Sequence, residues 1–89
     1  MGIDLEKDSE TLKALGHPIR LKIVVGLLGS DGCNVNKIVS RLKIPQSTVS
    51  QHLAKLRHAH ILVPIKEGVN TCYCIKDKRV SCLIAALKS

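Results

Sequence analysis

The stretch PQSTVSQHLAKLRHAH, Pro45 to His60, decides the fold. Val49, Leu53 and Leu56 recur at helical spacing and make one apolar side. The opposite side carries Ser47, Gln51, Lys55 and His58, with Thr48 and His52 flanking it. A helix that needed only solubility would use Glu and Lys here. Ser and Thr are poor helix formers, and an N-cap employs only one of them. Short hydroxyls and an amide suit a helix whose first turns approach phosphates and base edges, where long side chains would hold it off. The expected DNA contacts on this helix are therefore Ser47, Thr48, Ser50, Gln51, His52 and Lys55. The competing reading is an ordinary polar surface.

The charge distribution points the same way. The 89 residues hold 14 Lys and Arg against 7 Asp and Glu, for a net charge of +7. Asp4, Glu6, Asp8 and Glu10 crowd the N-terminus, and no acid stands between Gly32 and Lys66. That acid-free window holds Lys37, Arg41, Lys43, Lys55, Arg57 and Lys66. Such a zone suits a polyanion, either nucleic acid or an anionic membrane. No signal peptide or spanning segment is apparent, so a cytoplasmic protein with reduced cysteines is expected, with no membrane partner.

Working outward, the periodicity predicts a helix over about residues 4–15 with Leu5, Leu12 and Leu15. Pro18 suits the first turn of a second helix carrying Ile19, Ile23, Leu27 and Leu28. A short third helix follows from Val35, Ile38, Val39 and Leu42. Pro45 pushes the residue before it out of helical geometry, which makes KIP a turn. After His60 the period shifts towards two. ILVPIKEGVNTCYCIK reads as two short strands around Glu67 to Asn70, with Gly68 in the turn. KRVSCLIAALKS closes the chain as a helix. The expectation is one domain, 1–89, mainly α with a small β-hairpin wing, in the order α-α-α-α-β-β-α: a winged helix-turn-helix. Lys66 and Asn70 at the wing tip join the expected DNA contacts.

Three stretches, LKALGHPIRLKIV, LKIPQSTVSQHLAKLRHAHIL and EGVNTCYCI, resemble the ArsR/SmtB family of bacterial transcriptional repressors. The resemblance covers about Leu12 to Leu87. It implies a homodimer built from the first and last helices that binds an inverted repeat in double-stranded DNA and blocks transcription. The last helix supports a dimer on its own account, because VSCLIAAL is apolar nearly all round and so calls for two packing partners. Leu5, Leu12, Val80, Leu83, Ile84 and Leu87 are the expected dimer interface.

Family members often release DNA on binding a metal. The Cys-x-Cys of one family site is replaced here by Asn34-Val35-Asn36. At a second, on the last helix, Asp77 matches but Arg79 stands where a His is expected. Thiol-sensing relatives place a Cys where this chain has Val25. No metal site and no cofactor are therefore expected. Nor is an enzyme: there is no paired-carboxylate pattern, phosphate loop or catalytic Cys–His couple. Two alternatives stay open. In the first, Cys72 and Cys74 share the outer side of the second wing strand, opposite Tyr73 and Ile75, and give a thiol- or soft-metal-responsive repressor. In the second, the wing belongs to a protein-interaction adaptor. Cys33 and Cys82 are expected to be more protected than the wing thiols.

Overall fold

In the computed structural model of the chain, residues 2–29, 34–68 and 70–88 are described, with only the backbone for Glu67, Asn70 and Thr71. The order is α1 (Leu5–Leu15), α2 (Pro18–Leu28), α3 (Val35–Leu42), α4 (Gln46–His58), β1 (Leu62–Glu67), β2 (Asn70–Ile75) and α5 (Lys78–Lys88). This is the predicted sequence of elements.

Local chemistry explains the boundaries. The Asp4 carboxylate accepts from the Lys7 N–H at 3.1 Å and starts α1. The His17 ring does the same for α2, its Nδ1 accepting from the Ile19 N–H at 3.1 Å, with Pro18 in the first turn. Asn34 caps α3 through the Lys37 N–H at 3.3 Å. Lys43 ends α3 in the left-handed region at φ 54°, which turns the chain sharply into Pro45. His60, at φ 62°, performs the equivalent turn between α4 and β1.

The core lies where α1, α2, α3, α4 and α5 converge on the base of the hairpin. Ile23 and Val24 of α2, Leu56 of α4, Ile61 and Val80 of α5 have no exposed surface. Ala14, Leu15, Leu27, Val35, Ile38, Leu62 and Ile84 complete the same cluster. Removing an Ile or Leu side chain from water contributes on the order of 1.5–3 kcal/mol, so a cluster without Phe or Trp still holds the fold. α2 is central, packing on α1, α3, α4 and β2.

β1 and β2 pair antiparallel, from Leu62 opposite Ile75 to Glu67 opposite Asn70. Gly68 takes φ 63° in the turn, a conformation that costs glycine little. Tyr73 and Ile75 pack against the core, and Cys74 is exposed on the other side.

Two expectations need correction. The stripe of α5 is split: Val80 and Ile84 are buried in the protomer's own core, whereas Leu83 and Leu87 are exposed. Val80 and Ile84 therefore cannot form a dimer surface. Their spacing of four puts them on one side of the helix, and Leu83 and Leu87 on the adjacent one. The wing cysteines are also unlike each other. Cys72 is disulfide-bonded and half-buried, whereas Cys74 is a free thiol. The expected pair of equivalent, reduced outward thiols is thus not what the hairpin carries. Cys82 is a free thiol exposed in the protomer, on the side of α5 expected to meet a second chain. Cys33 lies outside the described residues.

Candidate nucleic-acid interface

The α3–α4 pair and the hairpin set the geometry of the site. Val49 and Leu56 anchor α4 inward, and Leu53 packs against the core. The opposite side is left to water, with Ser47, Gln51, Lys55 and His58 exposed. Ser50 is exposed and Thr48 is half-buried.

The N-terminus of α4 lacks a side-chain cap. Pro45 occupies the cap position, and the first turns close on its carbonyl, which accepts from the Thr48 and Val49 N–H groups at 3.0 and 3.2 Å. The hydroxyls of Ser47, Thr48 and Ser50 and the Gln51 amide thus serve no capping role. The first N–H groups of the helix stay open towards solvent, carrying the partial positive charge of the helix terminus.

His52 sits differently from its neighbours. It is half-buried, and its ring lies 4.5 Å from that of His17, tilted by 48°. Its Nδ1 is buried without a hydrogen-bond partner. Burial first, then the nearby charges of His17, Arg20 and Lys55, hold its imidazole below the usual pKa, which favours the neutral ring. On the hairpin side of α4, Ser50, Leu53, Ala54 and Arg57 border a cleft against Tyr73. Lys66 is exposed near the wing tip. The Asn70 side chain lies outside what is described, and its backbone pairs with Glu67 at the hairpin end.

Two cations, Arg20 beside α4 and Arg57 on it, were not among the expected contacts. Arg20 could have been found from GHPIR, since three residues after the His17 cap it must project from the first turn of α2. Arg57 belongs to the basic window but lies a third of a turn from the exposed face, towards the wing.

The expected interface leucines all remain exposed. Leu5 is 74%, Leu12 56%, Leu83 39% and Leu87 72% exposed, with Ile3 beside them at 70%. Ile3, Leu12, Cys82, Leu83 and Ala86 line an open apolar groove of about 350 Å³ between α1 and α5. Among the described residues no three of His, Cys, Asp and Glu converge on a metal-sized site. No helix among them is long and apolar enough to cross a membrane.

A short α3, a sharp left-handed turn at Lys43 and an α4 without a side-chain cap, followed by a two-stranded wing, define the class: a winged helix-turn-helix regulator. Within that class the chain belongs to the bacterial regulatory proteins of the arsR family, whose profile matches residues 17–62. It is 44% identical over 85 residues to the transcriptional repressor PagR of Bacillus anthracis, covering 96% of this chain and 85% of that protein. The crystal structure of PagR superposes with a TM-score of 0.81, covering 93% of this chain and 94% of that one. HlyU from Vibrio cholerae superposes with a TM-score of 0.84 at 34% identity, over 98% and 94% of the two chains. These relatives are transcriptional regulators, not enzymes.

Proposed function

We propose that the chain is a homodimeric repressor that binds an inverted-repeat operator in double-stranded DNA in the cytoplasm. In this reading α4 enters the major groove. Ser47, Thr48, Ser50, Gln51, His52 and Lys55 meet bases and phosphates, and Lys66 and Asn70 bring the wing to the flanking backbone. The observation that carries it is the start of α4, which has no side-chain cap and presents Ser47, Ser50 and Gln51 exposed beside a half-buried Thr48. A helix start built this way leaves its polar groups on water in the free protein and free to turn to phosphates and bases. The exposed leucines of α1 and α5 supply the dimer contact, which leaves two α4 helices to read two half-sites.

Repression rather than activation is favoured by the 44% identity to a repressor. HlyU of Vibrio cholerae, described as a transcriptional activator, is 34% identical.

The test is binding of DNA from upstream of the gene by fluorescence anisotropy at several salt concentrations. If each protomer neutralises about 3 to 5 phosphates, log K against log salt should fall with a slope of roughly −5 to −9. A slope near zero, or a chain that stays monomeric at micromolar concentration, overturns the reading.

A second reading, that a thiol modulates this repressor, is favoured by the disulfide at Cys72, which anchors a wing strand. The Cys72/Cys74 pair as an equivalent couple is not retained.

A further inference from the structure

α1, α2 and α4 border an open, partly polar pocket of about 400 Å³, lined among others by Glu10, Lys13, Arg20, Lys55 and His58. Its positive groups outnumber its one carboxylate, and Glu10 is already paired with Lys13 at 3.5 Å. Arg20 has no ion-pair partner among the described residues, although its Nε is buried without a hydrogen bond. Its Nε is a donor held out of water with nothing to accept from it, which an added acceptor would relieve. Lys55, one of the exposed residues of α4, is likewise without a carboxylate. Behind them the His17–His52 contact joins the cap of α2 to the middle of α4, and it too holds an unpartnered buried atom, His52 Nδ1.

The position matters as much as the composition. A helix in the major groove has a phosphate strand on either side. One flank of α4, at Ser50 and Arg57, faces the wing. The other, at His52 and Lys55, faces Arg20.

We propose that Arg20 and Lys55, backed by the His17–His52 pair, form a backbone-phosphate seat on the flank of α4 opposite the wing. This deepens the DNA-binding reading and rests on it. The groups that act on His52 are His17 and Arg20 from α2 and Lys55 on α4, with Glu10 and Lys13 from α1 and His58 on α4 across the adjoining pocket. The strand packed against α4 carries its cation at Lys66, out towards the wing tip. In the free protein burial first, and then the neighbouring charges, oppose protonation of His52. A phosphate lodged on Arg20 and Lys55 neutralises them, so DNA binding draws a proton onto His52. The complex then holds more protons than its parts, and affinity rises as pH falls.

The experiment uses the full chain and a 30-base-pair duplex of random sequence, because phosphate contacts are independent of sequence. Calorimetry in two buffers of different ionisation enthalpy, near pH 7, reads the protons taken up. Net uptake is expected, with binding about three- to tenfold tighter at pH 6 than at pH 8. His52→Gln should lose most of the uptake and the pH dependence, whatever its affinity at pH 8. Arg20→Gln should weaken binding and make the salt slope shallower by about one per protomer. If Arg20→Gln loses helix content by circular dichroism, Lys55→Gln carries the same expectation from an exposed site. Equal proton uptake by the wild type and His52→Gln, or unchanged salt slopes in the Arg20 and Lys55 variants, overturns the seat while leaving DNA binding intact. Absence of binding to any duplex overturns the DNA reading and the seat together.

Discussion

The guanidinium of Arg79, in the first turn of α5, reaches across to the Asp8 carboxylate of α1 at 2.9 Å. Asp77 holds the same guanidinium at 3.0 Å and also caps α5 by accepting from the Arg79 N–H at 2.9 Å. The pairing bridges two helices that otherwise meet across an open groove. It places a protein cation at the position where the family resemblance led one to expect a metal-binding His.

A pH dependence follows. Hydrogen bonds from Arg79 are the main reason that the Asp8 and Asp77 carboxyls titrate below the usual range. Just beneath about pH 4 the unfolded chain binds protons that the folded chain refuses. Stability present above that window is therefore lost as pH falls through it. Thermal melts from pH 6 down to pH 3 should show a steeper acid decline in the wild type than in Arg79→Ala. Parallel declines would remove Arg79 from the role.

The split of α5 predicts opposite outcomes for neighbouring residues. Ile84→Ala, in the core, should destabilise the protomer by about 2–5 kcal/mol in urea unfolding. Leu87→Asp, on the exposed side, should leave the helical signal unchanged and shift sedimentation from dimer to monomer. A Leu87→Asp variant that remains dimeric would place the interface elsewhere.

On α4, Gln51 is exposed at the centre of the polar side. If its amide pairs with a base, Gln51→Ala should cost on the order of 1–3 kcal/mol against the best operator and almost nothing against random DNA. Competition binding with both duplexes measures the difference. Equal losses would make Gln51 a phosphate contact.

Lys66→Glu tests the wing. Reversing an exposed charge near the hairpin tip should weaken binding to all duplexes alike with the melting temperature unchanged. Unaltered affinity at the same salt would mean that the wing stands off the DNA.

The thiols separate by state. In the native protein without reductant, alkylation and mass mapping should modify Cys74 and Cys82 and spare Cys72. In the dimer Cys82 should react more slowly than in the Leu87→Asp monomer, because it lines the α1–α5 groove. Reduction should free Cys72, loosen β2 and lower operator affinity. If reduced and oxidised protein bind equally, the thiol-modulated reading fails.

Much of this protein was legible because the signals are local. Period 3.6 followed by period 2, Pro18 and Pro45 at helix starts, and Gly68 in a hairpin turn are consequences of backbone geometry within a few residues. The hydroxyl-rich start of α4 was equally visible, because composition there departs from what a soluble helix needs. The assignment of α5 was not. Both of its sides are apolar, so periodicity marks a helix without choosing which side turns inward, and packing against β2 and the core makes that choice.

The sequence by itself determined the element order, the class of fold and the unusual polar composition of the helix proposed to meet DNA. Only the tertiary structure decided which residues become neighbours across it: Asp8 with Arg79, His17 with His52 and Arg20, and Cys72 in a disulfide rather than a free thiol. The reason is physical. Backbone conformation is set by adjacent residues, whereas the meeting of distant side chains depends on how whole helices pack, which no short stretch of chain encodes.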